Sequence, residues 1–268
     1  MNLYERFARF KTRRILKRYA LPDALWQEAI NSLPFLSCWT PAMLARLREQ
    51  TVLFLCDKTI GGAQGFCVTP LIRTLVAAQA AVPILVRGLG WYAGFKTVIL
   101  YSSDFISPAE WEDEWGIVHQ DNEPILGEAM PAGPVILSWQ SIHNATHAGK
   151  ALMPEDDLPP TNVVIHEFAH KIDMLNGDAD GNPPLPPGLT PQIWRDTLME
   201  AYHDFCAHGT KAPYRAIDPY AGESPAEFFA VLSELFFVAP DNMQSIYPKL
   251  FDLYKTFYGF SVLGGRDQ

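Results

Sequence analysis

Cysteine is scarce in this chain and is nowhere arranged for pairing. The four cysteines (Cys38, Cys56, Cys67 and Cys206) form no C-x-x-C pair and no dense framework, which excludes a disulfide-stapled scaffold. They are expected as small buried hydrophobes in a reducing compartment. Long apolar runs are missing too. The longest uncharged run, Thr74 to Val86, lies between Arg73 and Arg87 and contains Gln79 and Pro83. It is well short of the ~20 residues a transmembrane helix needs, so no membrane span is expected. Charged residues make up only 19%, too few for a long coiled coil or a polyampholyte tail. Basic residues are in deficit, 21 against 30 acidic and a net charge of -9, so direct nucleic-acid binding through phosphate neutralisation is not expected. Internal repeats and low-complexity tracts are absent.

Apolar side chains, by contrast, are plentiful. Hydrophobic residues make up 48% and aromatics 12% of 268 residues, enough for a sizeable core. The basic charge is concentrated at the start: residues 1–20 hold Arg6, Arg9, Lys11, Arg13, Arg14, Lys17 and Arg18 against Glu5 alone. No apolar stretch and small-residue cleavage site follow, which speaks against a secretory signal and for a cytoplasmic protein. We expect a basic helical segment at 1–20, solvated or docking an acidic partner or membrane surface, and a single domain over 21–268.

Strand-like segments lie early and helices late, which points to an α+β fold. Thr40-Pro41 marks a helix start, Pro70–Ala80 reads as a buried helix, and 191–208, 224–238 and 243–258 as further helices. Strands are expected at 97–101 and 134–139, with shorter candidates at 52–56 and 84–86. Residues 109–118 are ambiguous, and 176–190 read as a loop.

The chemistry is concentrated in His166-Glu167-Phe168-Ala169-His170, an H-E-x-x-H motif. Helix residues i and i+4 share a face, so two imidazoles reach one ion. A catalytic zinc uses three protein ligands and keeps one position for water. Glu167 would sit beside that position and take the water's proton. The flanks suit a buried helix: Thr161 or Asn162 can cap it, and Val164, Ile165, Phe168, Ala169 and Ile172 supply apolar packing. Buried His and Glu need partners, which argues against two ordinary surface histidines.

The third ligand must come from elsewhere. Asp173 and Asn176 stand where the extended metzincin pattern has Gly and His, so that class is excluded. Glu200, His203, Glu223, Glu227 and Glu234 remain. Glu227 follows Ser224-Pro225-Ala226 at a helix start, where S-x-x-E is equally the signature of a capping box. Glu234, seven residues on, is the fallback ligand or supports one. Asp173 either orients a ligand imidazole or is a polar residue near a helix end. Asp178-Ala179-Asp180-Gly181 lacks the later ligands of a calcium loop and reads as a turn. His119, His143, His147, His203 and His208 form no constellation.

The stretch from His166 to Asp173, the Asn176-Gly177-Asp178 turn, and Tyr220 followed by Ser224-Pro225-Ala226-Glu227-Phe228-Phe229-Ala230-Val231-Leu232-Ser233-Glu234 resemble the Mlc titration factor A family. These are gluzincin-type zinc peptidases similar in their catalytic core to anthrax lethal factor. The resemblance covers most of the chain apart from the first ~20 residues. It implies an α+β, zincin-like metallopeptidase domain with a small mixed sheet, an H-E-x-x-H active-site helix and additional N-terminal helices. It implies one zinc held by His166, His170 and Glu227, Glu167 as general base and Tyr220 as the oxyanion donor. It also implies aminopeptidase activity on short peptides and a cytoplasmic role in binding the glucose-responsive repressor Mlc. The gap from His170 to Glu227 is far longer than in thermolysin-type enzymes, so Glu227 rests on this family alone. Two functions remain in view: a zinc peptidase, and a binding protein that sequesters a repressor without needing catalysis.

Overall fold

The structure, a computed structural model, describes residues 12–105, 110–112, 118–120, 126–151 and 161–263, and gives the backbone alone for 110–112, 118–120 and 146–151. The first half of the basic segment therefore lies outside the described residues. Residues 12–18 are helical, and Leu16 packs, partly buried, on the core.

Helix α1 (Asp23–Asn31) is followed by α2 (Pro41–Asp57). The Thr40 hydroxyl accepts the Met43 N–H at 3.3 Å and Pro41 occupies the first turn, so α2 begins where expected. It then continues through Val52–Cys56, which is not a strand. Those residues complete the apolar face that buries Leu47, Val52 and Phe54, and tertiary packing overrides their β preference. Strand β1 (Thr59–Gly62) leads to α3 (Pro70–Ala81), capped by Thr69 in the same manner. Ile84–Val86 is a turn rather than a strand. Leu85 N–H bonds Val82 O and Gly88 N–H bonds Ile84 O, while Arg46 takes the Leu85 and Val86 carbonyls, so all three carbonyls of the segment are engaged outside a ladder.

The sheet is completed by β2 (Thr97–Tyr101), β5 (Gly127–Ala129) and β6 (Val135–Ser138). A separate antiparallel pair, β3 (Glu110–Glu112) and β4 (Val118–Gln120), resolves the ambiguous stretch in part. The strand order is β1-β2-β6-β5, with β1, β2 and β6 parallel and β5 antiparallel at the edge. Trp139 opens α4 (Trp139–Ala151) instead of ending β6. Then come α5 (Val163–Asp173), α6 (Pro191–His208), α7 (Pro225–Val238), α8 (Pro240–Ile246) and α9 (Pro248–Tyr258). The last two were expected as one helix. Pro248 lacks an N–H and pushes Tyr247 out of the helical region (φ -129°, ψ 68°), which breaks it. The result is the expected α+β fold.

One contiguous apolar core runs from Leu21 to Val262, and α5 threads it between α7, α3 and the edge strand β5. Phe168, on the helix face away from the histidines, is fully buried against Phe54, Tyr92 and Phe95 at ring separations of 4.9–5.7 Å. Truncating such a ring costs about 3–5 kcal/mol, so α5 is held rigidly. Helix α7 is apolar on nearly every side and buries Phe228, Phe229, Phe236 and Phe237. The cysteines depart from expectation: Cys56, Cys67 and Cys206 are exposed and Cys38 is half-buried, because each lies on the outward side of its segment. No helix among the described residues is long and apolar enough to cross a membrane.

Candidate metal centre

Helix α5 starts at Asn162, whose side-chain oxygen accepts the Ile165 N–H at 3.0 Å; Asn162, not Thr161, is the cap. The helical repeat then brings the His166 and His170 rings within 4.8 Å of each other. Both present Nε2 to the same point: the two nitrogens lie 3.1 Å apart, and Glu227 Oε2 lies 3.0 Å from one and 3.1 Å from the other. Among the described residues, these three are the only group whose His, Cys, Asp or Glu donor atoms converge in the way a metal ion requires. Glu200, His203 and Glu223 do not join it.

Glu227 has a divided role at the start of α7. Its backbone N–H donates to Ser224 Oγ at 3.1 Å, as in a capping box, but its carboxylate does not return to the helix end. It reaches across to α5. Burial pushes this carboxyl up, but hydrogen bonds to His166 and His170 and their charge outweigh it and hold Glu227 down at about 2.

Glu234, two turns further along α7, lies behind His166. Its Oε1 is 2.7 Å from His166 Nδ1 and its Oε2 accepts the Asn162 N–H. It supports the cluster without entering it, since it holds the other ring nitrogen and so fixes which one faces Glu227. Burial disfavours charge on His166, but the bonds to Glu227 and Glu234 prevail and raise its pKa well above the usual imidazole range. Asp173 does not orient His170. Its Oδ2 accepts the Gly181 N–H at 2.7 Å and so ties the end of α5 to the 176–190 loop. His170 Nδ1 and Asp173 Oδ1 are each buried with no hydrogen-bond partner among the described residues.

Glu167 is 5% exposed, and its pKa is raised to about 7. Burial is the main cause; the two histidines oppose it, and Glu227 and Glu234 add to it. Such a carboxyl is poised to exchange a proton near neutrality. Tyr220 sits in a short 3-10 turn (Pro219–Gly222) set by Asp218, which accepts its N–H at 2.9 Å. Its ring centroid is 6.0 Å from that of His166, and half of the side chain is exposed. Burial, then Glu227 and Glu167, push its hydroxyl up to about 12, so it stays a proton donor at any ordinary pH.

Of the other candidates, Asp180 closes an Asx turn on Asn182 and Gly181 has φ +78°, as a turn requires. His208 pairs with Asp204, and His143 packs on Trp139. The side chains of His119 and His147 lie outside the described residues. The β6 segment is an internal strand, flanked by β2 and β5; among the described residues the sheet edges are β1 and β5, and of these β5, which the sequence did not mark, packs on α5. The Gly-Glu-Ala sequence of β5 carries no β-branched or aromatic signal.

Two imidazoles and a carboxylate converge on one point, beside a buried carboxyl on the same helix, a donor set that could hold a metal ion as a metallopeptidase requires. Residues 7–259 match the glucose-regulated metallo-peptidase M90 family, and the chain belongs to that family. The match begins at residue 7, so most of the basic segment lies within the family, contrary to expectation. The chain is 35% identical over 243 residues to Mlc titration factor A of Escherichia coli (strain SMS-3-5 / SECEC), covering 89% of this chain and 86% of that one. It is 33% identical over 237 residues to Mlc titration factor A of Klebsiella pneumoniae (strain 342), covering 87% and 84%.

Proposed function

We propose that this chain is a zinc-dependent peptidase of aminopeptidase type that acts on short peptides. The observation that carries the proposal is the meeting of His166 Nε2, His170 Nε2 and Glu227 Oε2 within 3.0–3.1 Å of one another beside buried Glu167. At zinc–ligand distances of ~2.0–2.1 Å, tetrahedral neighbours stand roughly 3.3 Å apart, close to the spacing seen, so the donor set fits. His166, His170 and Glu227 would hold the ion, and Glu234 would keep His166 in the ligating tautomer. Bound zinc supplies Lewis-acid polarisation of the scissile carbonyl and acidifies water.

This chain's own residues supply the rest. Glu167 takes the proton of the attacking water and returns it to the leaving amine. Tyr220, with its hydroxyl protonated, donates to the developing oxyanion. Strand β5, at the sheet edge beside α5, pairs with an extended peptide backbone, as in β-augmentation. Three protein donors, with no cysteine among them, favour an open catalytic site over a closed structural one.

A second reading rests on the relatives' name. By that likeness the chain also binds a repressor of the Mlc type, which would place it in the cytoplasm. Glu167→Gln separates the two. The variant is expected to keep its zinc, lose about 10²–10⁴-fold in hydrolysis of amino-acid anilides, and retain repressor binding. Undiminished hydrolysis would overturn the base assignment, and repressor affinity lost together with catalysis would overturn their independence.

A further inference from the structure

We propose that Gly127 is a positioning residue for Glu167: its missing side chain forms the slot in which the carboxylate stands. The inference rests on the reading of Glu167 as general base. A Cβ at Gly127 would lie 2.6 Å from Glu167 Oε1, 2.7 Å from Glu167 Cγ and 2.8 Å from Val163 Cγ2. Carbon atoms in contact sit at ~3.5–4.0 Å, so α5 already fills the space a methyl group would need.

Backbone conformation is not the reason for glycine here. Gly127 is a strand residue and is not among those with positive φ. The close approach of strand to helix is the reason.

Strand β5 has no freedom to retreat. It pairs with β6 through Gly127↔Leu137, Glu128↔Ile136 and Ala129↔Val135, and Val135 and Leu137 are fully buried. At the turn beyond β5, Lys171 of α5 donates to Met130 O at 2.6 Å, Gly133 O at 3.2 Å and Pro131 O at 3.3 Å. The hairpin is thus tied to the active-site helix one residue after His170, and the gap between β5 and α5 is fixed. A side chain at 127 would meet Glu167 and Val163, and none of the three atoms it strikes belongs to His166, His170 or Glu227. The slot therefore sets where the carboxylate stands without setting the metal ligands.

The test is Gly127→Ala, alone and combined with Glu167→Ala, with three readouts. The zinc dissociation constant should stay within about twofold of wild type. The kcat should fall about 10²-fold, as a misplacement of about 1 Å at a reacting group does. The melting-temperature loss caused by Gly127→Ala should shrink by at least half in the Glu167→Ala background, because the truncated side chain no longer meets the new methyl. Should Gly127→Ala fail to fold, the same measurements are made on Gly127→Ala with Val163→Ala, which frees the helix-backbone side of the slot. Wild-type kcat in the folded variant, or a stability loss that is the same in both Glu167 backgrounds, would overturn the proposal. Glu167→Gln keeps the two readings apart: its inactivity together with a fully active Gly127→Ala sinks the slot alone, whereas its full activity sinks the base.

Discussion

Glu234→Gln probes the support of the proposed metal centre with almost no change in volume. Each carboxylate oxygen of Glu234 faces a donor, His166 Nδ1 on one side and the Asn162 N–H on the other. An amide has one acceptor oxygen, so its NH2 must face one of those donors. A buried donor left without an acceptor costs about 1–3 kcal/mol. If the NH2 turns to His166, the imidazole loses its orienting acceptor and zinc affinity falls about 10–100-fold. If it turns to Asn162, the start of α5 loses its tether, and the metal-free protein melts lower by roughly 2–4 °C per kcal/mol. Chelator competition and thermal melts of the metal-free variant measure both quantities. The expected result is a loss in one or both that together amounts to about 1–3 kcal/mol. Wild-type zinc affinity at a wild-type melting temperature would refute the role assigned to Glu234.

Zinc binding should release protons, since His166 in the metal-free protein is held well above the usual imidazole range by Glu227 and Glu234 and must lose a proton to ligate. Calorimetry at pH 7 in buffers of different ionisation enthalpy should show proton release and an affinity that rises with pH; identical enthalpies in all buffers would contradict this. Tyr220→Phe should cost about 10²–10³-fold in kcat with zinc affinity unchanged, and an equal loss of zinc would show that the hydroxyl serves the site's structure instead. Lys171 has a pKa lowered to about 8 by burial and by Lys58. Its folded value lies below the unfolded ~10.4, so between about pH 8 and pH 10 the unfolded state binds more protons. Wild type should therefore gain stability relative to Lys171→Met as pH rises through that window, and a constant difference in melting temperature would disprove it.

The helices around the site were legible because their punctuation is local. Thr40-Pro41, Thr190-Pro191 and Ser224-Pro225 each pair a capping hydroxyl with a proline in the first turn, and α2, α6 and α7 begin there. Short apolar runs were legible only in part: 97–101 and most of 134–139 form the expected strands β2 and β6, but two others do not. Val52–Cys56 and Ile84–Val86 look like strands in isolation, and only their neighbours make one a helix and the other a turn. The reverse holds for β1 and β5, whose Thr-Ile-Gly-Gly and Gly-Glu-Ala carry little strand signal and gain their pairing from β2 and β6. Within the site, the H-E-x-x-H spacing announced the two histidines. Whether Glu227 capped its helix or crossed to α5 depended on how α7 docks, a long-range fact no window of sequence contains. Gly127 was silent because a glycine's demand for close approach shows only when the partner helix is in place.

X-ray absorption of the zinc-loaded protein bears most directly on the proposed metal centre. Two imidazole nitrogens, one carboxylate and one further light-atom ligand at ~2.0–2.2 Å are expected. Sulfur in the coordination shell, or a spectrum left unchanged by Glu227→Ala, would contradict it.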